Sequence, residues 1–174
     1  MNYRPITDVW ILARSKVKFY GAYPSGFLAR ARALLGVGPN DAVLHVCSGR
    51  VRDYPFAGVG PNDKTLDLDP ILKPDYLQDA CQPLPKGFAA ILADPPYTLE
   101  DAKHYALSPL WLPSPNALLR NMLESVELGS RVGMLHYVIP RPPKDMARFV
   151  AVVGVIVGFG NRGRFYSVFE KANA

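Results

Sequence analysis

Phe88-Ala89-Ala90-Ile91-Leu92-Ala93-Asp94-Pro95-Pro96-Tyr97 is the stretch that decides the fold of this 174-residue chain. Its first six residues are continuously apolar, without the alternation of a strand that keeps one face in water. Such a run is expected of a central parallel strand covered on both sides. Two prolines then stop it, because each fixes φ and neither has an N–H for a ladder. Asp94 therefore stands at the carboxyl end of a buried strand. In open α/β sheets ligands bind at that end, near the point where the strand order reverses.

Strands and helices alternate outward from this stretch. On its N-terminal side, Ser25 to Leu35 reads as a helix with Ser25 as its cap and Gly36 as its stop. Val43 to Val46 is a short apolar strand running into Cys47-Ser48-Gly49, and Thr65 to Asp69 alternates and ends on acid. A third, shorter strand is expected around Tyr76-Leu77. On the C-terminal side, Leu118, Leu119, Met122, Leu123 and Val126 recur at helical spacing within Ala117 to Leu128. Arg131 to Ile139 is the next strand, Lys144 to Val150 is expected to be a short helix, and Ala151–Phe159 and Phe165–Glu170 read as a hairpin around a Gly-rich turn. Pro55, Gly58, Gly60 and Pro61 leave little room for a regular helix after Cys47-Ser48-Gly49, so that connection is expected to be irregular and to line a pocket. The expectation is a doubly wound, mostly parallel α/β sheet of seven strands with a C-terminal antiparallel hairpin, formed by residues 1–174 as one domain.

Composition narrows the setting. About half the residues are apolar (49%) and a fifth are charged (20%), which suits a chain that builds its own core. Twenty Lys and Arg against fifteen Asp and Glu give a net charge of +5, which favours a polyanionic partner. The basic residues cluster at Arg14, Lys16 and Lys18, at Arg50 and Arg52, and at Arg162 and Arg164, where each cluster also suits a solvated face. Cys47 and Cys81 have neither metal-ligand nor CxxC spacing, so no metal is expected. The N-terminal segment lacks signal-peptide features, and the apolar run Phe149–Phe159 is too short to span a bilayer. A reduced, cytoplasmic protein without membrane contact is expected.

Asp94-Pro95-Pro96-Tyr97 fits one kind of chemistry well. The exocyclic amine of adenine or cytosine is a poor nucleophile, because its lone pair is delocalised into the ring. Methylating it requires acceptors aimed at the amino hydrogens while positive charge develops on nitrogen. Asp94 offers a carboxylate and Pro95 a carbonyl, both stiffened by the paired prolines. Tyr97 offers a face on which an extruded base can stack.

With these residues in place, the sequence resembles the S-adenosylmethionine-dependent amino-methyltransferases, the adenine-N6 and cytosine-N4 enzymes of DNA and some RNA. The resemblance implies a Rossmann-like class I methyltransferase fold with S-adenosyl-L-methionine as cofactor. Asp94, Pro95, Pro96 and Tyr97 match the catalytic motif. Lys18-Phe19-Tyr20-Gly21 with Pro24 looks like the cofactor-side motif, which implies that Phe19 and Tyr20 contact the cofactor. Cys47, Ser48 and Gly49 correspond to the turn under its methionine end, Asp69 to the acid on its ribose, and Asp79-Ala80 to the segment that reads its adenine. Two departures stand out: His45 occupies the place of an acid in the first motif, and Arg50-Val51-Arg52 follows where a second glycine is usual. No stretch is long enough for a target-recognition domain. The insertion Thr98–Pro115 carries Tyr105 and Trp111, which with Arg162 and Arg164 are the candidates for substrate contact. His45, a lone strand histidine, is assigned no role.

The expected substrate is thus nucleic acid, DNA ahead of RNA and adenine ahead of cytosine. Target recognition would come from a homo-oligomer or a partner subunit, if it is supplied at all. Two readings of other classes stay open: a non-catalytic subunit that grips cofactor or nucleic acid, and a methyltransferase for a small molecule or a protein amide.

Overall fold

The computed structural model describes residues 4–17, 19–54, 58–105, 112–158 and 162–173. In chain order the elements are β1 (Ile6–Ile11), α1 (Phe27–Leu35), β2 (Val43–Val46), β3 (Lys64–Asp67), β4 (Tyr76–Leu77), β5 (Ala90–Ala93), α2 (Leu99–Lys103), α3 (Pro115–Ser125), β6 (Arg131–His136), β7 (Ala147–Ile156) and β8 (Arg164–Lys171). They form one sheet of eight strands in the order β1-β7-β8-β6-β5-β2-β3-β4. β8 runs antiparallel to both of its neighbours, β6 and β7, while every other pairing is parallel.

The sheet exceeds the expected seven strands by one. β1 adds to the edge beside β7, with Ile6 opposite Ala151 and Ile11 opposite Ile156. Its burial does not alternate: Ile6, Val9 and Ile11 are exposed and Trp10 alone is buried. A strand with one buried side chain leaves little periodic signal to read.

A second difference lies at Lys144 to Val150. Instead of a helix, Met146 and Ala147 close a turn onto the carbonyl of Pro143, and β7 begins at Ala147. Ala147 is opposite Lys171, and Arg148 is opposite Glu170, with which it forms an ion pair at 2.5 Å. The ladder with β8 outweighs the local helical pattern, as tertiary pairing commonly does.

Both faces of the sheet are covered, as the unbroken apolar run of β5 requires. Ala90 and Leu92 belong to a core with Phe27, Leu28 and Ala31 of α1, whereas Ile91 and Ala93 pack with Leu118, Leu119, Met122 and Leu123 of α3. On the α1 side the aromatic rings interlock. Phe27 lies 5.2 Å from Tyr166 edge-on and 4.9 Å from Tyr23 in a stack. The Tyr166 ring and hydroxyl press against Gly133, where an added Cβ would come within 2.4 Å of the hydroxyl oxygen. Burying each such ring stabilises the fold by about 2–3 kcal/mol.

Among its described residues, the connection from β2 to β3 holds a 3-10 turn at Val51–Asp53 and no longer helix. Gly58 rests directly on α1, with φ 132°, and a Cβ there would fall 2.3 Å from that of Leu28. No helix among the described residues is long and apolar enough to cross a membrane.

Candidate active site

Register brings three strand ends level. Val46 of β2 is opposite both Leu66 of β3 and Ala93 of β5, so Cys47, Asp67 and Asp94 each stand one residue past the same row. The strand order reverses here, since β2 leads outward to β3 and β4 and β5 leads to β6. The turn after β2 is tied down by Ser48 N–H donating to the Leu66 carbonyl at 3.2 Å, and Asp94 N–H donates to that of Val46 at 3.2 Å.

The backbone of this turn is strained. Cys47 has φ 53°, in the left-handed region, which costs a residue with a Cβ about 1–2 kcal/mol. Gly49 follows at φ 50° and donates its N–H to Asp67 Oδ2 at 2.8 Å, while Asp69 N–H donates to Asp67 Oδ1 at 3.1 Å. Burial nonetheless pushes the Asp67 carboxyl above its usual range. Ser48 Oγ is buried with no hydrogen-bond partner among the described residues, a condition that costs about 1–3 kcal/mol. Burial likewise drives the Cys47 thiol well up, which argues against a nucleophilic role for it.

Two cavities meet at Asp94. The inner pocket is walled by Cys47, Ser48, Gly49, Asp67, Gln78 and Ala80, and closed by Tyr20, Gly21 and Tyr105. That closure is itself braced: Tyr20 donates its hydroxyl to Asp101 Oδ1 at 2.8 Å and stacks on His104 at 4.1 Å. Gly21, at φ 77°, has the Tyr105 hydroxyl 2.6 Å from where a Cβ would sit, so a side chain there would be strained and would displace the Tyr105 ring. The outer cleft, about 530 Å³, is lined by Arg14, Phe19, Pro95, Tyr97, Tyr137, Arg162 and Arg164. Asp94, Pro96, Tyr20, Gly21 and Tyr105 line both.

Within the loop, Tyr97 donates its hydroxyl to Asp94 Oδ1, and Arg164 Nη1 donates to that same hydroxyl at 3.4 Å. The Tyr97 ring lies 4.6 Å from Tyr137 and 5.3 Å from His136, edge-on to the latter. The Arg162 guanidinium sits 5.8 Å over the Tyr137 ring. Burial raises the Asp94 carboxyl to about 6, against the lowering pull of Arg164 and of the Tyr97 hydroxyl.

The expected site residues distribute unevenly. Cys47, Ser48, Gly49 and Ala80 surround the inner pocket together with Tyr20. Phe19 lines the outer cleft, edge-on to Tyr54 at 5.5 Å. Tyr105 faces both cavities, Arg162 and Arg164 face the outer one, and Trp111 lies outside the described residues. Asp69 and Asp79 line neither cavity; each carboxylate caps its own turn, accepting from Ile71 N–H at 2.9 Å and from Cys81 N–H at 2.8 Å. Asp67, which is not among the expected site residues, lines the inner pocket together with Asp94. The strand ends at Asp67 rather than Asp69, and the first acid of the alternating Thr65–Asp69 segment was the available signal. Arg14 was legible only as a member of the basic cluster with Lys16 and Lys18, and Tyr137 carried no signal.

His45 lies away from both cavities. Its Nε2 is 3.0 Å from Asp63 Oδ2, and Asp63 also accepts from Arg32 Nη1 at 2.7 Å, Val43 N–H at 3.0 Å and Gly60 N–H at 2.7 Å. The trio joins α1, β2 and the loop before β3.

No family model matches the sequence, and no curated protein matches it. Solved structures do resemble the fold. TrmN from Thermus thermophilus superimposes with a TM-score of 0.58 at 21% identity, over 87% of this chain and 50% of that one. N-methyltransferase NodS from Bradyrhizobium japonicum gives 0.54 at 13% identity, over 84% and 95%. An rRNA methylase from Streptococcus thermophilus gives 0.52 at 12%, over 87% and 100%.

The fold is that of the Rossmann-like methyltransferases.

This chain spans about half the length of TrmN and nearly the whole of the other two. NodS has also been solved with S-adenosyl-L-homocysteine bound, and that structure resembles this chain with a TM-score of 0.52 at 11% identity, over 83% of this chain and 85% of that one. At such identities the likeness is one of fold, so the chemistry must be read from the residues at the strand ends.

Proposed function

We propose that residues 1–174 form one S-adenosyl-L-methionine-dependent methyltransferase domain acting on the exocyclic amine of a nucleic-acid base, adenine N6 in DNA first. One observation carries the reading: Asp94 and Pro96, from the loop after β5, line both the inner pocket and the outer cleft. A donor in one cavity and an amine in the other would meet over the carboxylate, which is the arrangement that proximity catalysis needs.

The inner pocket suits the cofactor by its donor set. The Ser48 hydroxyl, unpartnered among the described residues, and the Gly49 turn would hold the charged amino-acid end of the cofactor, and the Asp67 carboxylate would accept from its ribose hydroxyls. Asp69 and Asp79 would support the pocket through their turns. When bound, S-adenosyl-L-methionine supplies an electrophilic methyl group. The chain supplies the rest. Asp94 accepts from the amino hydrogens, which draws the lone pair out of conjugation, and Oδ1 then takes the proton that the methylated amine must lose. A carboxyl raised to about 6 accepts that proton more readily than an ordinary aspartate. Pro95 offers its carbonyl to the second amino hydrogen, Tyr97 and Tyr137 offer faces for the base, and Arg14 and Arg162 offer charge to the phosphates.

The rRNA methylase among the structural neighbours supports RNA as the alternative polymer. The test is tritiated methyl transfer to DNA and to RNA, followed by nucleoside analysis. Label in N6-methyladenine of DNA is expected. Label in no nucleoside, under conditions where calorimetry shows the cofactor bound, would sink the proposal and favour a non-catalytic subunit.

A further inference from the structure

We propose that Arg164 reads the ring nitrogen beside the reacting amine, so that Asp94 and Arg164 together select a base edge presenting an amino group next to an unprotonated ring nitrogen. This rests on the methyltransferase reading above and adds to it a residue that determines specificity.

The geometry is that of the Tyr97 hydroxyl, which lies between the two side chains. It donates to Asp94 Oδ1 and accepts from Arg164 Nη1 at 3.4 Å. One oxygen thus presents a donor to the carboxylate and an acceptor to the guanidinium. Adenine presents the same pair on neighbouring atoms of its Watson–Crick edge, the N6 amino hydrogens and the N1 lone pair. Cytosine presents it at N4 and N3. At the matching atoms guanine, thymine and uracil carry a carbonyl where Asp94 needs a donor and an N–H where Arg164 needs an acceptor, and guanine offers an amine beside a bare ring nitrogen only on its sugar edge, at N2 and N3. The resting hydroxyl therefore holds the place of such an edge, and a base that enters with its carbonyl edge cannot replace both of its bonds.

Two further features favour this role over a general attraction to phosphate. Arg164 opens β8 and its backbone is paired with Val155 of β7, so the guanidinium projects from a rigid strand. It is also partly buried, whereas Arg162, two residues earlier, is exposed and lies over the Tyr137 ring. An arginine cannot deprotonate to become an acceptor, so the donor sense of the contact is fixed.

The test is a cycle of two enzymes and two substrates. Methyl transfer is measured on oligonucleotides carrying adenine or 1-deazaadenine, in which a C–H replaces N1 and the amine remains. The enzymes are wild type and Arg164→Ala. Taking the ratio of ratios cancels the intrinsic difference in amine reactivity between the two bases. Wild type is expected to favour adenine by on the order of 10–100-fold in kcat/KM more than Arg164→Ala does, the range for a good contact to a base edge. Arg164→Lys, which keeps a donor, is expected to retain part of that preference and serves if the alanine variant folds poorly. If cytosine is the labelled base, 3-deazacytosine takes the place of 1-deazaadenine. Equal loss on both substrates in Arg164→Ala would assign the residue to phosphate or to structure and overturn this inference alone. No transfer by the wild type to any base would overturn the methyltransferase reading and this one with it.

Discussion

Asp63 and Asp94 are both enclosed by protein, and their carboxyl groups are shifted in opposite directions. At Asp63, burial acts to raise the pKa, but hydrogen bonds from His45, Gly60 and Arg32 outweigh it and hold the carboxyl at about 2. At Asp94, burial wins and the carboxyl rises to about 6, with one side-chain donor among the described residues, the Tyr97 hydroxyl, and the charge of Arg164 nearby. One carboxylate is saturated by donors from α1, β2 and the loop before β3; the other is left short of them. A saturated acid knits a fold together, whereas an unsaturated one at a strand end retains capacity for a ligand.

The largest effect should follow from breaking the saturated side. Asp63→Ala leaves Arg32 and His45 buried without their partner, and a loss of about 3–5 kcal/mol in urea unfolding is expected. A loss under 1 kcal/mol would mean that the network contributes little. At the other acid, Asp94→Ala should lower kcat by on the order of 10²–10³-fold, as loss of an acceptor aimed at developing charge does. Calorimetry should meanwhile find the cofactor bound nearly as before. Unchanged turnover would remove Asp94 from the chemistry.

pH separates the same pair. The folded pKa of Asp63 lies below its unfolded value, so its contribution is present above about pH 4 and is lost as pH falls toward 2. The folded pKa of Asp94 lies above its unfolded value, so the native state binds the extra proton and stability declines as pH rises from about 4 to 6. Asp94→Asn should therefore stabilise the protein by about 1–2 kcal/mol at pH 8 and by nothing at pH 3. In the wild type, kcat/KM should climb through an acid limb centred near pH 6. A flat profile from pH 5 to 8 would contradict the raised carboxyl.

The smaller effects concern the inner pocket. Asp67→Ala should weaken cofactor binding by about tenfold or more, whereas Asp69→Ala should cost only its turn, about 1 kcal/mol of stability, at unchanged affinity. The reverse pattern would return the ribose to Asp69. Ser48→Ala should be neutral or slightly stabilising, because it removes an unpaired buried hydroxyl, while still loosening the cofactor severalfold.

Much of this was readable from residue order. The strand Ala90–Ala93 with its Asp-Pro-Pro-Tyr exit, the helix around Leu118–Leu123, the Cys47-Ser48-Gly49 turn and the terminal hairpin all depend on local period and local stops. Their signals lie within a dozen residues of chain. β1 escaped because an edge strand with one buried side chain has no period to detect, and β7 began early because its partner β8 lies downstream.

What the sequence by itself determined is therefore the kind of element each segment forms, together with the placing of Asp94 at the carboxyl end of a buried strand. The tertiary structure alone decided which neighbours share that end. Asp67 faces the pocket and Asp69 turns away because the register of β3 against β2 sets Leu66 level with Val46. Tyr97 lies between Asp94 and Arg164 because β8 returns from the C-terminus to insert beside β6. Periodicity is a property of a few successive residues, whereas a site is assembled by hydrogen-bond register between strands far apart in the chain.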